Sequence, residues 1–565
     1  MTRPSLSPLP LTLLASVWMA TLANLPLWRE LRHAGLLRTP ADWTLAAALG
    51  VVICSALVFM LSFAAWRWIL KPAIVVLLVV SALGSYFMWT YHVVIDGDMF
   101  VNVIQSDVNE ARALLSAAMA GTLSILAAVP ALAVWRVRLR VRPIGAQSLR
   151  NIGTALLSLL VLVVTVIAAY QPLSSAMRNH KQLRYLINPL NAVYAAGNVA
   201  MKPFRRNDSF LEAIGMDAAA PTAAPNPPLL ILVLGETARA DNFSLNGYGR
   251  PTTPELQQHD VTSFRNAVSC GTSTAASVPC MFSHLGRGGF ESRSRNYENL
   301  LDVLQRAGLA VLWLDNQAGC KAVCARVPTV STSSLTDPNL CTEGDCLDGI
   351  LLKHLEAAMA SLPPERRARG TVIVMHQMGS HGPAYYRRSP PDFKRFMPEC
   401  TSNNLPQCSS SSLLNAYDNS IAYTDHVLAS TISWLKTQEN LFSPAMVYVS
   451  DHGESLGEGN LYLHGLPYLI APDHQKRVPW ITWLSAKFAA RTSLDAACLR
   501  ARADIPVSHD NYFHSVLGLM QVRTTAYRQD MDVYAGCSRS QAKPEPATTA
   551  MPQGRSDGPV DHRFH

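Results

Sequence analysis

Charged side chains are scarce in this chain. Asp, Glu, Lys and Arg make up 16% of its 565 residues, against 49% hydrophobic ones, where a soluble domain carries roughly a quarter charged. That composition excludes a purely soluble protein, yet it is too mixed for a chain made only of membrane spans. Cysteine is nearly missing from the first 228 residues: Cys54 stands alone there, and the other ten of the eleven follow. The repeated two-residue cysteine spacing of zinc ribbons is absent, which argues against a structural zinc cluster. No internal repeat is present, which excludes a solenoid or propeller. Long apolar runs are missing after residue 170.

Before residue 171 such runs dominate. Five of them, near Leu11–Trp28, Thr44–Trp66, Pro72–Tyr91, Ala117–Trp135 and Ile152–Tyr170, are about 20 residues each, the length that crosses a bilayer as a helix. Five in succession do not suit the core of one soluble domain. Arg3 precedes the first run, but no small-residue cleavage site follows, so it reads as a span and not as a removable signal. Basic residues set the orientation. Arg67 and Lys71 lie between the second and third spans, and Arg136, Arg138, Arg140, Arg142 and Arg150 between the fourth and fifth. The loop after the third span carries Asp96, Asp98, Asp107 and Glu110 instead. The positive-inside rule then puts the N-terminus in the cytoplasm and everything beyond Tyr170 outside. Arg29, Arg32 and Arg38 in the first outer loop oppose this with less weight.

The later cysteines agree with an outside location. Cys270 with Cys280, Cys320 with Cys324, Cys341 with Cys346 and Cys400 with Cys408 are close in sequence, and Cys498 and Cys537 remain. An even number at short spacing suits structural disulfides in an oxidising compartment. Residues 171–216 mix Leu, Tyr and Phe with Arg and Lys, the composition of an interfacial helix. Ala218–Pro228 is rich in Ala and Pro and reads as a linker. From Leu229 short apolar runs (Leu229–Leu234, Leu309–Leu314, Thr371–Met375, Met446–Val449, Trp480–Leu484) alternate with helical stretches (Asn299–Ala307, Ile350–Ala360). This texture predicts an α/β domain with a largely parallel sheet. The expected division is a five-helix transmembrane domain at 1–170, an interfacial helix and linker at 171–228, an α/β domain at 229–537 and a disordered tail at 538–565.

Chemistry gathers at the ends of the apolar runs. The first stops at Gly235-Glu236-Thr237, another at His376, and a third at Ser450-Asp451-His452-Gly453-Glu454-Ser455. In an open α/β sheet, ligands bind in the crevice outside the strands' carboxyl ends. Carboxylates and imidazoles brought together there can hold one divalent cation. Bound zinc would neutralise phosphoryl oxygens and lower the pKa of a coordinated hydroxyl, and Glu236, Asp451 and His452 are the ligand types it needs. The matching nucleophile is a hydroxyl on a tight turn where backbone N–H groups meet a phosphate. The segment Ser269–Cys280 offers Thr272, Ser273, Thr274 and Ser277, and chemistry alone leaves all four open. His376, His381 and His464 can hold a phosphoryl oxygen, protonate a leaving group or bind a second zinc.

Four motifs in this order, Gly235-Glu236-Thr237-Ala238-Arg239, Ser269–Cys280, Gly379-Ser380-His381-Gly382-Pro383 and Ser450–Ser455, closely resemble those of the lipid A phosphoethanolamine transferases. That family includes the mobile colistin-resistance enzymes and lies within the alkaline phosphatase and sulfatase superfamily. The resemblance spans nearly the whole chain. It implies an alkaline phosphatase-like α/β/α periplasmic domain behind five membrane helices, in the bacterial inner membrane. It assigns zinc, one ion or two, to Glu236, Thr274, Asp451 and His452, with Thr274 as the phosphorylated nucleophile. His381 and His464 match residues around the phosphoryl group, and Lys321 and His376 match further substrate-pocket residues. Asn102, Ser106 and Glu110, spaced four apart on one helix face, match a donor-lipid site in which the family carries Asn, Thr and Glu; Ser106 is the departure.

The reaction so implied takes phosphoethanolamine from phosphatidylethanolamine onto Thr274 and then to a phosphate of lipid A. An added amine lowers the negative charge of lipid A, so polymyxin and colistin resistance is the expected phenotype. The chain is expected to act as a monomer, with no nucleic-acid partner. An alternative with the same metal ligands and threonine is transfer of phosphoglycerol or phosphoethanolamine to another envelope glycan or a core sugar.

Overall fold

The computed structural model describes residues 5–538 apart from 106–111, 113, 141, 206, 224, 333–334 and 343–344. Ser106, Glu110 and the tail beyond Ser538 therefore lie outside the described residues.

Five helical segments among the described residues are long and apolar enough to cross a membrane. The first joins α1 (Pro8–Thr21) to α2 (Leu25–His33) through one tight turn. The others are α3 (Pro40–Phe63), α4 (Leu70–Thr90), α6 (Ala117–Arg136) and α7 (Ile144–Ala168), with the shorter α5 (Gly97–Gln105) before α6. Thr39 and Asp42 start α3 with a reciprocal capping box, which satisfies N–H groups that the first turn leaves unpaired. Pro130 removes a backbone donor inside α6, and a π turn over Ser124–Ala128 precedes it, the kind of local adjustment that keeps a proline tolerable in a span. Helix α7 buries Gln147, Asn151, Ala155 and Ser158 on one face while Leu149, Ile152 and Leu156 on the other stay exposed.

After α7, helix α8 (Tyr170–Asn179) and helix α9 (Leu190–Arg205) follow and pack against the spans. Between them Asn188 is buried in the helix bundle. Its Nδ2 donates to Ser81 O at 2.7 Å and Ala23 O at 3.1 Å, and its N–H donates to Asn24 Oδ1 at 2.9 Å. The connector is thus keyed into the membrane domain by side-chain hydrogen bonds.

The outer domain is built on one eight-stranded sheet. Its strands are β1 (Pro228–Gly235), β2 (Val261–Val268), β3 (Ala310–Asp315), β4 (Thr329–Ser331), β5 (Thr371–His376), β6 (Ser443–Ser450), β7 (Arg477–Leu484) and β8 (Val507–Ser508), in the order β8-β2-β7-β6-β1-β5-β3-β4. All pairings are parallel except the two made by β7. Every residue of β1 is buried, as in a parallel sheet covered on both faces. Leu230, Leu232 and Leu234 enter one hydrophobic core while Leu229, Ile231 and Val233 enter the other, the period-two alternation of a strand between two layers. Helices α10 (Thr274–Met281), α11 (Leu300–Arg306), α12 (Gly349–Ala360) and α13 (Ser410–Thr437) supply much of those layers.

Register positions the site. Gly235 of β1 pairs with Ser450 of β6, and Leu234 pairs with His376 of β5. Three central strands therefore end side by side. Five disulfides brace the domain: Cys270–Cys280, Cys320–Cys324, Cys341–Cys346, Cys400–Cys408 and Cys498–Cys537.

The outer domain sits on one end of the bundle. Tyr91, just past α4, donates from its hydroxyl to Asn403 O at 3.2 Å and accepts from Tyr462 N–H at 3.2 Å.

Candidate metal centre and nucleophile

Because β1 and β6 stop in register, the next residues, Glu236 and Asp451, leave the sheet together. Ligand atoms of Glu236, Asp451 and His452 all lie within 4.8 Å of one another, and all three side chains are buried. Asp451 Oδ1 accepts the backbone N–H of Thr237 at 3.1 Å and of His452 at 2.7 Å, while Oδ2, 3.3 Å from His452 Nε2, accepts no hydrogen bond. His452 Nδ1 lies 2.9 Å from Gly453 O. That carbonyl can only accept, so Nδ1 carries the proton and the Nε2 lone pair faces the carboxylates, the tautomer a metal ligand needs.

Burial, then the facing Asp451, raises the Glu236 carboxyl above its ordinary range, and burial raises Asp451 too. Two buried carboxylates and a neutral imidazole are costly together without a cation. An orphaned oxygen aimed inward and a ring poised on Nε2 fit a small divalent ion.

Thr274 closes the cage. It is the first residue of α10, and its Oγ1 lies 3.1 Å from Glu236 Oε2 and 3.4 Å from His452 Nε2. The other hydroxyls of the loop make no hydrogen bond to a cage side chain. Thr272 Oγ1 donates to Leu466 O at 2.6 Å, and Ser277 Oγ donates to Asp451 O at 2.5 Å while accepting Gly271 N–H at 3.0 Å. Ser273 Oγ is buried without a hydrogen-bond partner and caps nothing. Gly271 lets the loop fold tightly over α10, since a Cβ there would stand 2.7 Å from that of Ala276.

The histidines fall into two groups. His464 and His452 pack at a tilt with their rings 4.3 Å apart, and His381 lies 5.8 Å from His464. Burial pushes His464 and His452 down to about 4, and desolvation followed by His464 holds His381 well below its ordinary value. His376 is fully buried, with Nδ1 2.8 Å from Asp315 Oδ1 and Nε2 without a hydrogen-bond partner. Lys321 sits in the bridged Cys320–Cys324 loop with Nζ on Ala318 O at 3.2 Å, and its charge reaches His381. Asn102 lies on α5, which packs on α10; Val101 of that helix lines, with Thr272 and Tyr468, a cavity of about 400 Å³ beside the nucleophile loop.

Several residues of the site had no role in the sequence reading. Gln317 donates to Glu236 Oε2 at 3.0 Å, and Thr237 donates to Oε1 at 2.6 Å from a backbone with φ of +58°, a strained conformation for a β-branched residue. Gln317 stands two residues past β3, so the strand-end rule that found Glu236 reaches it as well. Glu454 is buried, pushed up to about 8 by that burial, and stands 3.4 Å from His464 Nδ1. His509 holds Ser450 O and Cys270 N–H through its two nitrogens, and no motif in the sequence marks it.

Comparison with known proteins places this arrangement first in a class. The sulfatase family model matches residues 228–522, the segment that carries the sheet and the whole cage. The particular family follows from the rest of the chain. A model described as phosphoethanolamine transferase EptA/EptB matches residues 53–204. Phosphoethanolamine transferase EptA of Escherichia coli K12 is 37% identical over 95% of this chain and 98% of its own. The phosphatidylethanolamine transferase Mcr-1 of Escherichia coli is 35% identical over 92% and 96%. The integral membrane lipooligosaccharide phosphoethanolamine transferase A of Neisseria meningitidis superposes with a TM-score of 0.89 at 33% identity, covering 95% of this chain and all of that one. The chain belongs to the EptA family of phosphoethanolamine transferases.

Proposed function

We propose that this protein moves phosphoethanolamine from phosphatidylethanolamine to a phosphate of lipid A at the outer face of the bacterial inner membrane, through a covalent intermediate on Thr274. The observation that carries the reading is that Thr274, alone among the four hydroxyls of its loop, lies within hydrogen-bond distance of side chains of the Glu236, Asp451 and His452 cage. Glu236, Asp451 and His452 would hold zinc with Thr274 completing the set. Bound there, the ion supplies positive charge for the phosphoryl oxygens and a lowered pKa for the threonine hydroxyl.

The rest is done by the chain itself. Thr274 Oγ1 loses its proton toward Glu236 Oε2, 3.1 Å away, and attacks the phosphorus of the donor. The Oγ1–P bond forms as the P–O bond to diacylglycerol breaks, and the departing alkoxide takes the proton that Thr274 gave up, with the His381–His464 side facing it. In the second half a lipid A phosphate oxygen attacks the same phosphorus, the Oγ1–P bond breaks, and Thr274 takes the proton that the attacking phosphate releases. The N-terminus of α10 directs its free N–H groups at the anionic centre throughout. His376 is a positioning residue, and Lys321 lies where it can face a phosphoryl oxygen. His381 and His464 are the ligands at hand for a second zinc.

Asn102 on α5, with Ser106 and Glu110, forms the donor-headgroup site, Glu110 pairing with the ethanolamine ammonium. The protein acts as a monomer with its N-terminus in the cytoplasm. The product carries less negative charge, so cells expressing it bind less polymyxin or colistin. Mass spectrometry of lipid A from cells with and without the protein tests this. The reading expects phosphoethanolamine added to a lipid A phosphate, lost in Thr274→Ala; unchanged lipid A with a modified core sugar or glycan would replace the acceptor.

A further inference from the structure

We infer that the end of the membrane domain farthest from the catalytic domain holds a site for the headgroup phosphate of an anionic glycerophospholipid. This is the end where α1, α4 and α7 begin and α3 stops, opposite Tyr91. A cavity of about 270 Å³ opens there between α1, α3 and α7. Its lining includes Arg140, Arg142 and Arg150.

Charge on this face is one-sided. The described residues that form it, 5–7, 64–71, 136–140 and 142–151, carry seven Lys or Arg and no Asp or Glu. Arg140 is held by Ser5, with Nε on Oγ at 2.8 Å and a terminal nitrogen on the carbonyl at 3.0 Å. Arg142 and Arg150 have no carboxylate partner among the described residues. Guanidinium groups converging without a counter-ion match the forked geometry of a phosphate.

The cavity wall is polar where a membrane bundle is ordinarily apolar. Gln147 and Asn151, one turn apart on α7, are each more than nine-tenths buried. Gln147 Nε2 donates to Asn151 Oδ1 at 2.8 Å, and both amides donate to Ala65 O at 3.3 Å. Thr12 of α1 also lines the cavity; it is 2% exposed, and its hydroxyl has no hydrogen-bond partner. A buried unpartnered hydroxyl beside uncompensated arginines is a cost that a bound anion removes.

A lipid suits the site better than free phosphate. On α1 and α7 the walls continue into exposed Leu9, Leu13, Ile152 and Leu156, a surface for acyl chains directly beside the headgroup. Without any carboxylate, the site offers nothing to the ammonium of a zwitterionic lipid. Basic pockets at the ends of membrane helices hold anionic headgroups on this principle. The lipid would tie α1, α3 and α7 together at the end where Ser5–Leu6 pairs with Arg138–Leu139 and Ser5 holds Arg140.

The test is native mass spectrometry of the delipidated full-length protein offered equal phosphatidylglycerol, phosphatidylethanolamine and phosphatidylcholine. Wild type should retain phosphatidylglycerol about tenfold over phosphatidylcholine. The pair Arg142→Gln/Arg150→Gln should abolish that preference, and Thr12→Val should weaken retention about fivefold. The pair Arg136→Gln/Arg138→Gln, which removes the same charge from the same loop outside the cavity, should keep it. The inference fails if both double variants lose phosphatidylglycerol alike, if wild type holds all three lipids equally, or if inorganic phosphate displaces the lipid as well as phosphatidylglycerol itself does. Unchanged lipid transfer activity in each variant shows that the protein has folded.

Discussion

His464 touches the buried Glu454 through Nδ1 at 3.4 Å and packs at a tilt against His452, so the ring's orientation depends on that carboxyl. Replacing Glu454 by Ala should let the ring turn and lower transfer about a hundredfold, the smaller end of what a positioned acid–base group contributes. Glu454→Gln keeps a hydrogen-bonding side chain of the same length and should retain most activity; equal loss in both variants would refute a positioning role. Asp425 gives a separate test at the same scale. Burial outweighs its hydrogen bonds from Glu255 and Leu256 N–H and pushes its carboxyl from an ordinary 3.8 up to about 7. The folded state then binds the proton more tightly than the unfolded chain. The stability this confers is complete below about pH 4 and lost as pH rises toward 7, up to about 4 kcal/mol. Thermal melts across that range should flatten in Asp425→Asn, whatever its absolute Tm. Glu236, Asp451 and His452 were legible because each directly follows an apolar run. Choosing Thr274 from its loop by geometry needs the acceptors that engage Thr272 and Ser277, and these come from Leu466 and Asp451, far away in the chain.

Helix α5 belongs to the membrane domain by sequence, yet it lies against the catalytic loops. Gly465 follows His464, has φ of +86°, and a Cβ there would collide with Met99 Cε on α5. Its N–H donates to Thr272 O at 2.7 Å, so one short segment couples α5, the histidine loop and the nucleophile loop. Gly465→Ala should destabilise the protein by about 1–2 kcal/mol from backbone strain alone, and more through the clash. Adding Met99→Ala should recover the clash portion and leave the strain, as measured by Tm and transfer rate. If Met99→Ala recovers nothing, α5 does not press on this loop. The parallel core strands were readable as uninterrupted apolar runs, but three elements were not. In β2 the run is broken by Arg265-Asn266. Helix α13 buries Asp418, Asn419, Ser420, Thr424 and Asp425 among its apolar residues, so it shows no clean amphipathic period. Strand β7 reads as an apolar run whose antiparallel direction only the topology decides.

Across the whole molecule, composition separated a membrane half from a disulfide-braced outer half, because lipid and water select opposite residues. How the halves meet depends on single contacts, Tyr91 with Asn403 and Tyr462 or Met99 with Gly465, that leave no periodic trace. The excess of arginine between the fourth and fifth spans carried an orientation signal; that it also lines a polar cavity with Gln147 and Asn151 emerges only when α3 and α7 are packed. The assembled molecule brings a membrane-side helix and a strand-edge cage to the same threonine, which is what the proposed transfer between two lipids requires. The most direct measurement is a pulse and chase in reconstituted membranes with phosphatidylethanolamine labelled in its headgroup, followed by mass spectrometry of the peptide containing Thr274. The account predicts label on Thr274 during the pulse, label passing to lipid A in the chase, and neither in zinc-stripped protein until zinc is restored. Label reaching lipid A while Thr274 stays unmodified, or label on Thr272 or Ser273 instead, would contradict it.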